Sequence, residues 1–368
     1  MFGTKHYIPI LRWKAAEKEA LLYLSPEVRK QITPLLELLM PQPKERKKKN
    51  GQSKTPEELL SESLQLLKEA TPKVPSDIQK CWGITPAFIE VGLLDKSERA
   101  QVLSSILTEG TKLGLSLVPV VNLHSDPETM KGAIQLANEY GSGLCLRLFP
   151  SDIFRGASLA KEIDGFMKAS SLVPEKVDLL LDFQITDDQY ATLGNVAKNI
   201  PDILKWRTFT VASGAFPIDL SDFTVDLHKI PRSDWENWLS QINSKKLTRQ
   251  PSFADYTIQH PIYREPVPGA NPSASIRYTL NDEWMIMRGQ GLRSPNGAGF
   301  KQYPALAQLL SQRPEYLSFG RDFSYGDQYI EKIGKSVMGK ETGNPRTWLR
   351  AGINHHIACV VAQIASLP

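Results

Sequence analysis

A short run in the middle of the chain reads Val177-Asp178-Leu179-Leu180-Leu181 and is nearly continuous in apolar residues. Such runs are typical of strands covered on both faces, as in a parallel sheet packed between helices. Seven more runs rich in β-branched residues occur along the chain, each followed by a polar segment with helical periodicity. The eight runs cover residues 6–14, 32–39, 87–92, 116–123, 143–149, 177–184, 207–216 and 252–259. This alternation predicts an α/β protein built from βα units.

Eight βα units in a row favour a closed (β/α)8 TIM-like barrel over an open doubly wound sheet. The first strand also speaks against the open sheet, because Arg12-Trp13-Lys14-Ala15 stands where a dinucleotide-binding fold has its glycine-rich turn. Helices are predicted over 14–24, 56–69, 96–110, 126–140, 157–171, 186–199 and 233–243.

The pattern changes after the eighth run. Residues 276–287 alternate like a β-hairpin with Asn281-Asp282 as its two-residue turn, and helices are predicted near 304–312, 325–337 and 344–366. We therefore expect a barrel over residues 1–260 with an insertion at 41–55. A C-terminal hairpin and helical extension over 261–368 should pack on this barrel.

Composition is that of an ordinary globular protein, with 41% hydrophobic and 23% charged residues in 368. Cys81, Cys145 and Cys359 are scattered and odd in number, which excludes a disulfide framework and a zinc site built on paired cysteines. The N-terminus lacks the pattern of a secretory signal, and no apolar run approaches the ~20 residues of a membrane helix. The sequence thus predicts a cytoplasmic protein that does not enter a membrane.

A basic stretch lies inside the predicted insertion, from Lys44 to Lys54. Its charges include Arg46 and three consecutive lysines at 47–49, without an apolar anchor. Such a run predicts a solvated loop, and the functional alternative is contact with the phosphate backbone of a nucleic acid. The formal net charge of +4 is too small to decide between them.

Each predicted barrel strand ends in a polar side chain. The residues at these ends are Lys14, Glu37, Glu90, Asn122, Arg147, Asp182, Ser213 and Asp255. In barrel enzymes the working residues project from the carboxyl ends of the strands, so these side chains should converge at one mouth. Period-two alternation then directs apolar residues into the barrel below them, including Val211 and Phe253 on the last two strands.

The types of these residues suggest roles. Lys14, Glu37, Glu90 and Asp182 are the catalytic candidates, and Asn122, Arg147, Ser213, Asp255 and Arg288 are the candidates for ligand binding, the last from a glycine-rich basic loop. The carboxylates and Asn122 would suit a divalent cation such as magnesium, with Lys14 and Arg147 facing a phosphate or carboxylate. The same pattern suits structural ion pairs, for example between Lys14 and Glu37, and no metal ligand is assigned.

Two adjacent histidines occur near the C-terminus. On a helix His355 and His356 point about 100° apart, so they do not chelate one metal as an i, i+4 pair would. We predict that one of them is a buried, hydrogen-bonded core residue.

Four segments carry a resemblance to a known family. They are 7–14 together with Glu17, 32–37, 323–327 and 352–357. These segments resemble the family called protein beta, and the resemblance extends over essentially the whole chain. It implies a setting in phages, bacterial mobile elements and antiviral defence, and it supplies no catalytic residues.

Two functions remain open on the sequence. The first is a barrel that binds a phosphorylated or nucleotide-like ligand at its mouth, with metal-dependent phosphoester hydrolysis in phage–host conflict as its reaction. The second is a non-catalytic module that binds protein or nucleic acid through the basic loop and the C-terminal helices. Metal dependence would separate them, and the sequence leaves open whether the chain is an enzyme and how it assembles.

Overall fold

The structure is a computed structural model that describes residues 3–43, 53–186, 193–244, 246–265, 269–293, 297–336 and 341–368. Its strands are, in chain order, β1 (Tyr7–Arg12), β2 (Leu35–Glu37), β3 (Ala87–Glu90), β4 (Leu117–Val121), β5 (Leu144–Leu148), β6 (Val177–Ile185), β7 (Thr208–Gly214), β8 (Leu227–Pro231), β9 (Ser252–Asp255), β10 (Ser273–Thr279) and β11 (Glu283–Gly291). Strands β1 to β7 and β9 close into a parallel barrel, with β9 paired to β1. Each of the eight predicted runs overlaps one barrel strand, which confirms the TIM-like barrel.

Helices surround the barrel and fill the C-terminal part. They are α1 (Ala15–Leu22), α2 (Pro26–Arg29), α3 (Pro56–Ala70), α4 (Val74–Cys81), α5 (Arg99–Lys112), α6 (Pro127–Glu139), α7 (Pro150–Ile153), α8 (Ala157–Ser170), α9 (Leu193–Lys198), α10 (Ser233–Asn243), α11 (Tyr303–Ser311), α12 (Pro314–Phe319), α13 (Tyr325–Gly334) and α14 (Pro345–Ala365). The sequence did not predict α2, α4, α7 and α12. The predicted basic contact at Lys44–Lys54 falls mostly outside the described residues, and the described Lys54 forms an ion pair with Glu62. Among the described helices, none is long and apolar enough to cross a membrane.

The barrel interior holds one apolar cluster. It consists of Ile8, Ile10, Leu35, Phe88, Val118, Val120, Cys145, Leu180, Ala212, Ala254 and Tyr256. Val211 on β7 and Phe253 on β9 were predicted to point into the barrel. This prediction was wrong, because both residues belong to the outer cluster under the helices. Strands buried on both faces carry apolar residues on both, so alternation alone does not show which face looks inward.

The C-terminal part contains a three-stranded antiparallel sheet in the order β10-β11-β8. The predicted hairpin is present, with Thr279 opposite Trp284 at its turn. Its third strand, β8, comes from residues predicted to belong to the barrel and pairs with β11. The barrel segment therefore contributes a strand to the extension, and the division at residue 260 stays a prediction.

Helix α14 joins the extension to the barrel and contacts α1, α13, β1 and β10. Both adjacent histidines on it are fully buried. His356 Nε2 lies 2.8 Å from Asp255 Oδ2, and Asp255 Oδ1 accepts a hydrogen bond from the Tyr7 hydroxyl at 2.5 Å. His355 Nδ1 lies 2.8 Å from Asp327 Oδ2 on α13. Two histidines, rather than the one expected, are thus hydrogen-bonded core residues.

Candidate functional site

Arg147, near the end of β5, is the centre of the barrel mouth. Its Nε and Nη2 atoms donate to Asp182 Oδ2 at 2.9 and 2.6 Å, and Nη1 donates to Glu37 Oε1 at 3.0 Å. Glu90 Oε2 lies 3.6 Å from the same Nη1 atom. Although burial lowers the pKa of a guanidinium, these facing carboxylates and Tyr256 raise that of Arg147 well above its ordinary value. Three of the strand-end residues predicted to converge at the mouth, Glu37, Glu90 and Asp182, thus surround a fourth, Arg147.

Tyr256 completes this cluster from the residue after β9. Its hydroxyl donates to Asp182 Oδ2 at 2.6 Å and accepts from Arg147 Nη2 at 2.9 Å. Burial, and then the charge of Asp182, raises the pKa of Tyr256, so the hydroxyl keeps its proton. Sequence reasoning missed Tyr256, although it shares the inward face with Ala254 two residues earlier.

Glu37 and Glu90 stand side by side, because they are register partners on β2 and β3. The Oε2 atom of each is buried and has no hydrogen-bond partner among the described residues. Burial raises the pKa of Glu90 to about 7, with Arg147 opposing the shift and Glu37 adding to it. Two acceptor atoms on one wall thus lack hydrogen bonds from described residues, although Glu37 Oε2 lies 3.9 Å from Arg12 Nε and Glu90 Oε2 lies 3.6 Å from Arg147 Nη1.

A cavity of about 240 Å³ opens at this mouth. Glu37, Glu90 and Arg147 form its floor, and Arg99, Asn122 and His124 are among the residues at its rim. Asn122 Oδ1 accepts a hydrogen bond from the His124 backbone N–H at 2.8 Å within the turn after β4. The structure therefore brings Asn122 to the mouth, as the sequence predicts.

Lys14 lies beside the mouth and not at its floor. It follows the end of β1 and its Nζ atom donates to the Tyr263 hydroxyl at 2.7 Å, at a larger neighbouring groove of about 660 Å³. The cation that β1 directs into the mouth is the buried Arg12, whose Nε lies 3.9 Å from Glu37 Oε2. Arg12 lies on the same inward face of β1 as Ile8 and Ile10. Because β1 ends at Arg12, the predicted strand, which extended to Lys14, was two residues too long.

Three predicted ligand-binding residues lie elsewhere. Ser213 and Asp255 share a strand face with Val211 and Phe253 and are turned outward, and Asp255 pairs with His356 on α14. Arg288 lies on β11 of the separate sheet, where Nε donates to Ser273 Oγ at 3.3 Å. The error for the first two follows from the misassigned faces of β7 and β9. Arg288 was predicted to bind a ligand from the composition of its glycine-rich loop, and composition does not determine where a residue lies in the fold.

The mouth carboxylates do not fit a resident divalent cation. Among the residues that the structure describes, no three Asp, Glu, His or Cys side chains are arranged to hold a metal ion. The guanidinium of Arg147 already occupies the space between Glu37, Glu90 and Asp182. A cation there would face a positive charge at contact distance, so we derive no step through a metal.

Glu90 should make stability depend on pH. Its folded pKa of about 7 lies above its ordinary value of 4.5, so between these values the native state binds more protons than the unfolded state. The free energy of unfolding should therefore fall as pH rises through this window, by on the order of 3 kcal/mol. Glu90→Gln removes this loss. We expect the variant to match the wild type near pH 4 and to be the more stable protein near pH 8, as measured by urea unfolding at about these two values.

The control for this prediction is Glu236→Gln on α10, whose side chain is exposed. It should leave the pH dependence unchanged. A Glu90→Gln variant with the same stability difference at both pH values would show that the Glu90 carboxyl titrates normally.

Comparison with known proteins identifies the family. The family described as Beta protein matches residues 7–362, so the chain belongs to it, as the resemblance indicated. No curated protein sequence is detectably similar. Among solved structures, 3-keto-D-glucoside 4-epimerase (YcjR) of E. coli is similar at 13% identity and a TM-score of 0.31, covering 71% of this chain and 94% of that one. Carveol dehydrogenase of Mycobacterium avium in complex with NAD is similar at 12% identity and a TM-score of 0.20, covering 70% and 99%.

Proposed function

We propose that this member of the Beta protein family binds a small phosphorylated or nucleotide-like ligand at the barrel mouth and transfers protons to it through Glu90. The observation that carries the proposal is the pair of buried Oε2 atoms of Glu37 and Glu90 at the cavity floor, neither of which accepts a hydrogen bond from a described residue. Buried polar atoms without partners are costly, and a ligand with hydroxyl or amino groups would supply the missing donors. The head of the ligand therefore carries hydrogen-bond donors.

The rim favours an anionic group on the same ligand. Arg99 and His124 line the cavity, and Lys14 stands beside it at Tyr263, which borders both the cavity and the neighbouring groove. Arg99 Nε donates to the Leu94 carbonyl at 3.0 Å, and Nη1 lies 4.0 Å from Asp126 Oδ2. These contacts use only some of the N–H groups of the guanidinium. Acceptors at the floor and cations at the rim match a sugar or nucleoside with a phosphate at its outer end.

Glu90 supplies the proton chemistry. A carboxyl group with a pKa of about 7 exchanges its proton readily at neutral pH, whereas an ordinary glutamate is ionised there. Glu37 and Glu90 are neighbours on one wall, and they do not face each other across the ligand as the two carboxylates of most glycosidases do. The site thus favours acid–base chemistry on a group bound over that wall.

Calorimetric titration tests this proposal with adenosine 5′-monophosphate, ribose 5-phosphate and adenosine as probes. We expect a phosphorylated probe to bind more tightly than adenosine. Glu37→Gln should weaken binding about tenfold, because an amide N–H₂ replaces the Oε2 acceptor while Oε1 still accepts from Arg147. Glu236→Gln is the matched control. The proposal fails if none of the probes binds, or if Glu37→Gln and the control bind alike.

The alternative function remains a proposal based on the basic stretch in the sequence. A non-catalytic module would bind an oligonucleotide through Lys44–Lys54 with strong salt dependence and without involving the mouth. The same titration with an oligonucleotide as a further probe separates the two, since Glu37→Gln would then leave oligonucleotide binding unchanged. We place either activity in phage–host conflict on the basis of the family resemblance, and a plaque assay with and without the chain tests that placement.

A further inference from the structure

A second cavity lies between the barrel and the C-terminal part, and it shares no lining residue with the cavity at the mouth. Its volume is about 260 Å³, and it is bounded by β10, by the first turns of α14 and by the segment after β9. The polar residues that line it are Gln259, Ser273, Ser275, Arg277 and Tyr303. None of the described lining residues is acidic. The cavity is therefore a separate space with one cationic side chain and several hydroxyl groups.

The cation of this cavity, Arg277, is partly buried and has no carboxylate partner among the described residues. Its Nη1 atom donates to the Ile258 carbonyl oxygen at 2.8 Å, and its guanidinium lies over the Phe216 ring, 4.7 Å from the centroid. Burial lowers the pKa of Arg277 to about 10, with Tyr303 opposing the shift. Removing a charge from water without a counter-charge is costly, so a bound anion would stabilise this arginine.

Other arginines that lack a carboxylate partner in the described structure use their N–H groups on backbone carbonyls. Arg29 donates to five carbonyl oxygens, and Arg249 donates to three. Arg277 donates to one. The guanidinium of Arg277 thus has donors left over at the wall of a cavity, which the other two arginines do not have.

Hydroxyl groups stand on the walls beside this guanidinium. Ser275 lies two residues before Arg277 on β10, so the two side chains share one face of the sheet. Tyr303, at the start of α11, is buried, and its ring stacks on that of Trp348 with the centroids 5.2 Å apart. Burial raises the pKa of Tyr303 to about 12, so its hydroxyl keeps its proton at neutral pH. Hydroxyl and guanidinium donors therefore line the same cavity.

The surroundings of the cavity add positive charge. Arg288 lies opposite Ser275 on β11, and its Nε atom donates to Ser273 Oγ at 3.3 Å. Pro345, the first residue of the 21-residue helix α14, also lines the cavity, so the positive end of that helix dipole lies beside it. Both features favour an anion at Arg277 over a neutral ligand.

We propose that this cavity is a second binding site, for a phosphate group, with Arg277 as its anchor and the hydroxyls of Ser275 and Tyr303 as further donors. The guanidinium fork matches phosphate and carboxylate alike, but donors on several walls suit the larger number of oxygens on phosphate. The volume lies just below the ~300–1,000 Å³ of typical small-molecule sites, so the ligand is compact. Inorganic phosphate and the phosphate group of a small ester share this chemistry. The site goes beyond the function proposed for the mouth.

Calorimetric titration of the full chain at constant ionic strength tests the inference with inorganic phosphate, glycerol 3-phosphate and acetate. We expect both phosphate probes to bind more tightly than acetate, and the tighter of the two identifies the ligand as the ion or an ester. Arg277→Met should weaken phosphate binding by at least about tenfold, because methionine keeps an apolar contact with Phe216 but has no N–H group. Arg313→Met, at an exposed arginine before α12, is the control and should bind like the wild type.

A second variant separates loss of the site from loss of the fold. Tyr303→Phe keeps the stack on Trp348 and removes only the hydroxyl, so it should weaken phosphate binding by about fivefold. Without ligand, Arg277→Met should melt at the same temperature as the wild type or higher, since it removes a charge that has no described counter-charge. If Arg277→Met does not fold, Tyr303→Phe decides.

Three results would overturn the inference: no binding of either phosphate probe, tighter binding of acetate than of both, or wild-type binding by Arg277→Met and Tyr303→Phe. Phosphate binding that Glu37→Gln weakens and Arg277→Met leaves unchanged would place the ion at the mouth, which refutes this site and leaves the proposed function standing. Binding that depends on Arg277, together with no binding at the mouth, would refute the proposed function and support this site.

Discussion

Arg147→Met should lower the free energy of unfolding by about 3–5 kcal/mol, because it removes the guanidinium that donates hydrogen bonds to both Glu37 and Asp182. Methionine nearly fills the space but donates no hydrogen bond. Asp182 is fully buried, so its charge would remain in the barrel with only the Tyr256 hydroxyl and the Gln184 backbone N–H as donors. Urea unfolding followed by circular dichroism measures the loss.

The control is Arg321→Met, which removes an exposed arginine paired with Asp322 and Glu331. Exposed ion pairs contribute about 0–1 kcal/mol, so this variant should unfold close to the wild type. Equal stability of the two variants would mean that the mouth carboxylates are neutral in the folded protein. The Arg147 cluster would then owe little to charge pairing.

This expectation changes the role of Asp182. The sequence places it at the end of the most apolar strand and suggests a catalytic carboxylate. In the structure its Oδ2 atom is occupied by Arg147 and Tyr256, and its Oδ1 atom by the Gln184 N–H. An acceptor so fully used has little capacity left for a ligand. Glu37 and Glu90 keep that capacity, since the Oε2 atom of each accepts no hydrogen bond from a described residue.

The sequence predicted the barrel well because its signal is local. A run such as Val177–Leu181 identifies a buried strand by itself, and eight such runs in order imply closure. Strand β8 was not predicted from the sequence. It pairs with β11, which is far away in sequence, and its residues are partly buried or exposed. Pairing at such a distance leaves no local pattern to read.

The mouth was predicted where strand faces could be identified correctly. Glu37, Glu90 and Arg147 follow inward apolar residues two positions earlier, and all three reach the cavity. The prediction that Ser213 and Asp255 lie at the mouth failed, because β7 and β9 have apolar residues on both faces. Tyr256 was missed for the same reason, since it follows β9 on the inward face that Ala254 shares.

The segments that carry the family resemblance near the C-terminus are explained by packing. Gly326 has no room for a side chain, because a Cβ there would lie 2.2 Å from the Ala351 carbonyl oxygen on α14. Its N–H donates to Asn354 Oδ1 at 3.1 Å, and Asn354 Nδ2 donates to the Ala20 carbonyl at 3.0 Å. These residues thus fasten α13 and α14 to α1, which accounts for them without a role in binding.

Asp327 is the polar centre of that junction, and Asp327→Ala should destabilise the protein by about 3–5 kcal/mol. The carboxylate accepts hydrogen bonds from the hydroxyls of Tyr278 at 2.8 Å and Ser324 at 2.6 Å, and it lies 2.8 Å from His355 Nδ1. Alanine would leave three polar groups in the interior without this partner. Each buried group that loses its partner costs about 1–3 kcal/mol, and these losses are not fully additive.

The matched control is Asp322→Ala, five residues earlier, where the side chain is 83% exposed and forms an ion pair with Arg321. It should change the free energy of unfolding by less than about 0.5 kcal/mol. Hydrogen exchange would show where the loss falls. We expect Asp327→Ala to release α13 and α14 before the barrel, because the hydrogen bonds of the carboxylate join these helices to β10 of the separate sheet. Uniform acceleration of exchange in the barrel and in α14 would contradict this account, and would show instead that the junction and the barrel unfold as one unit.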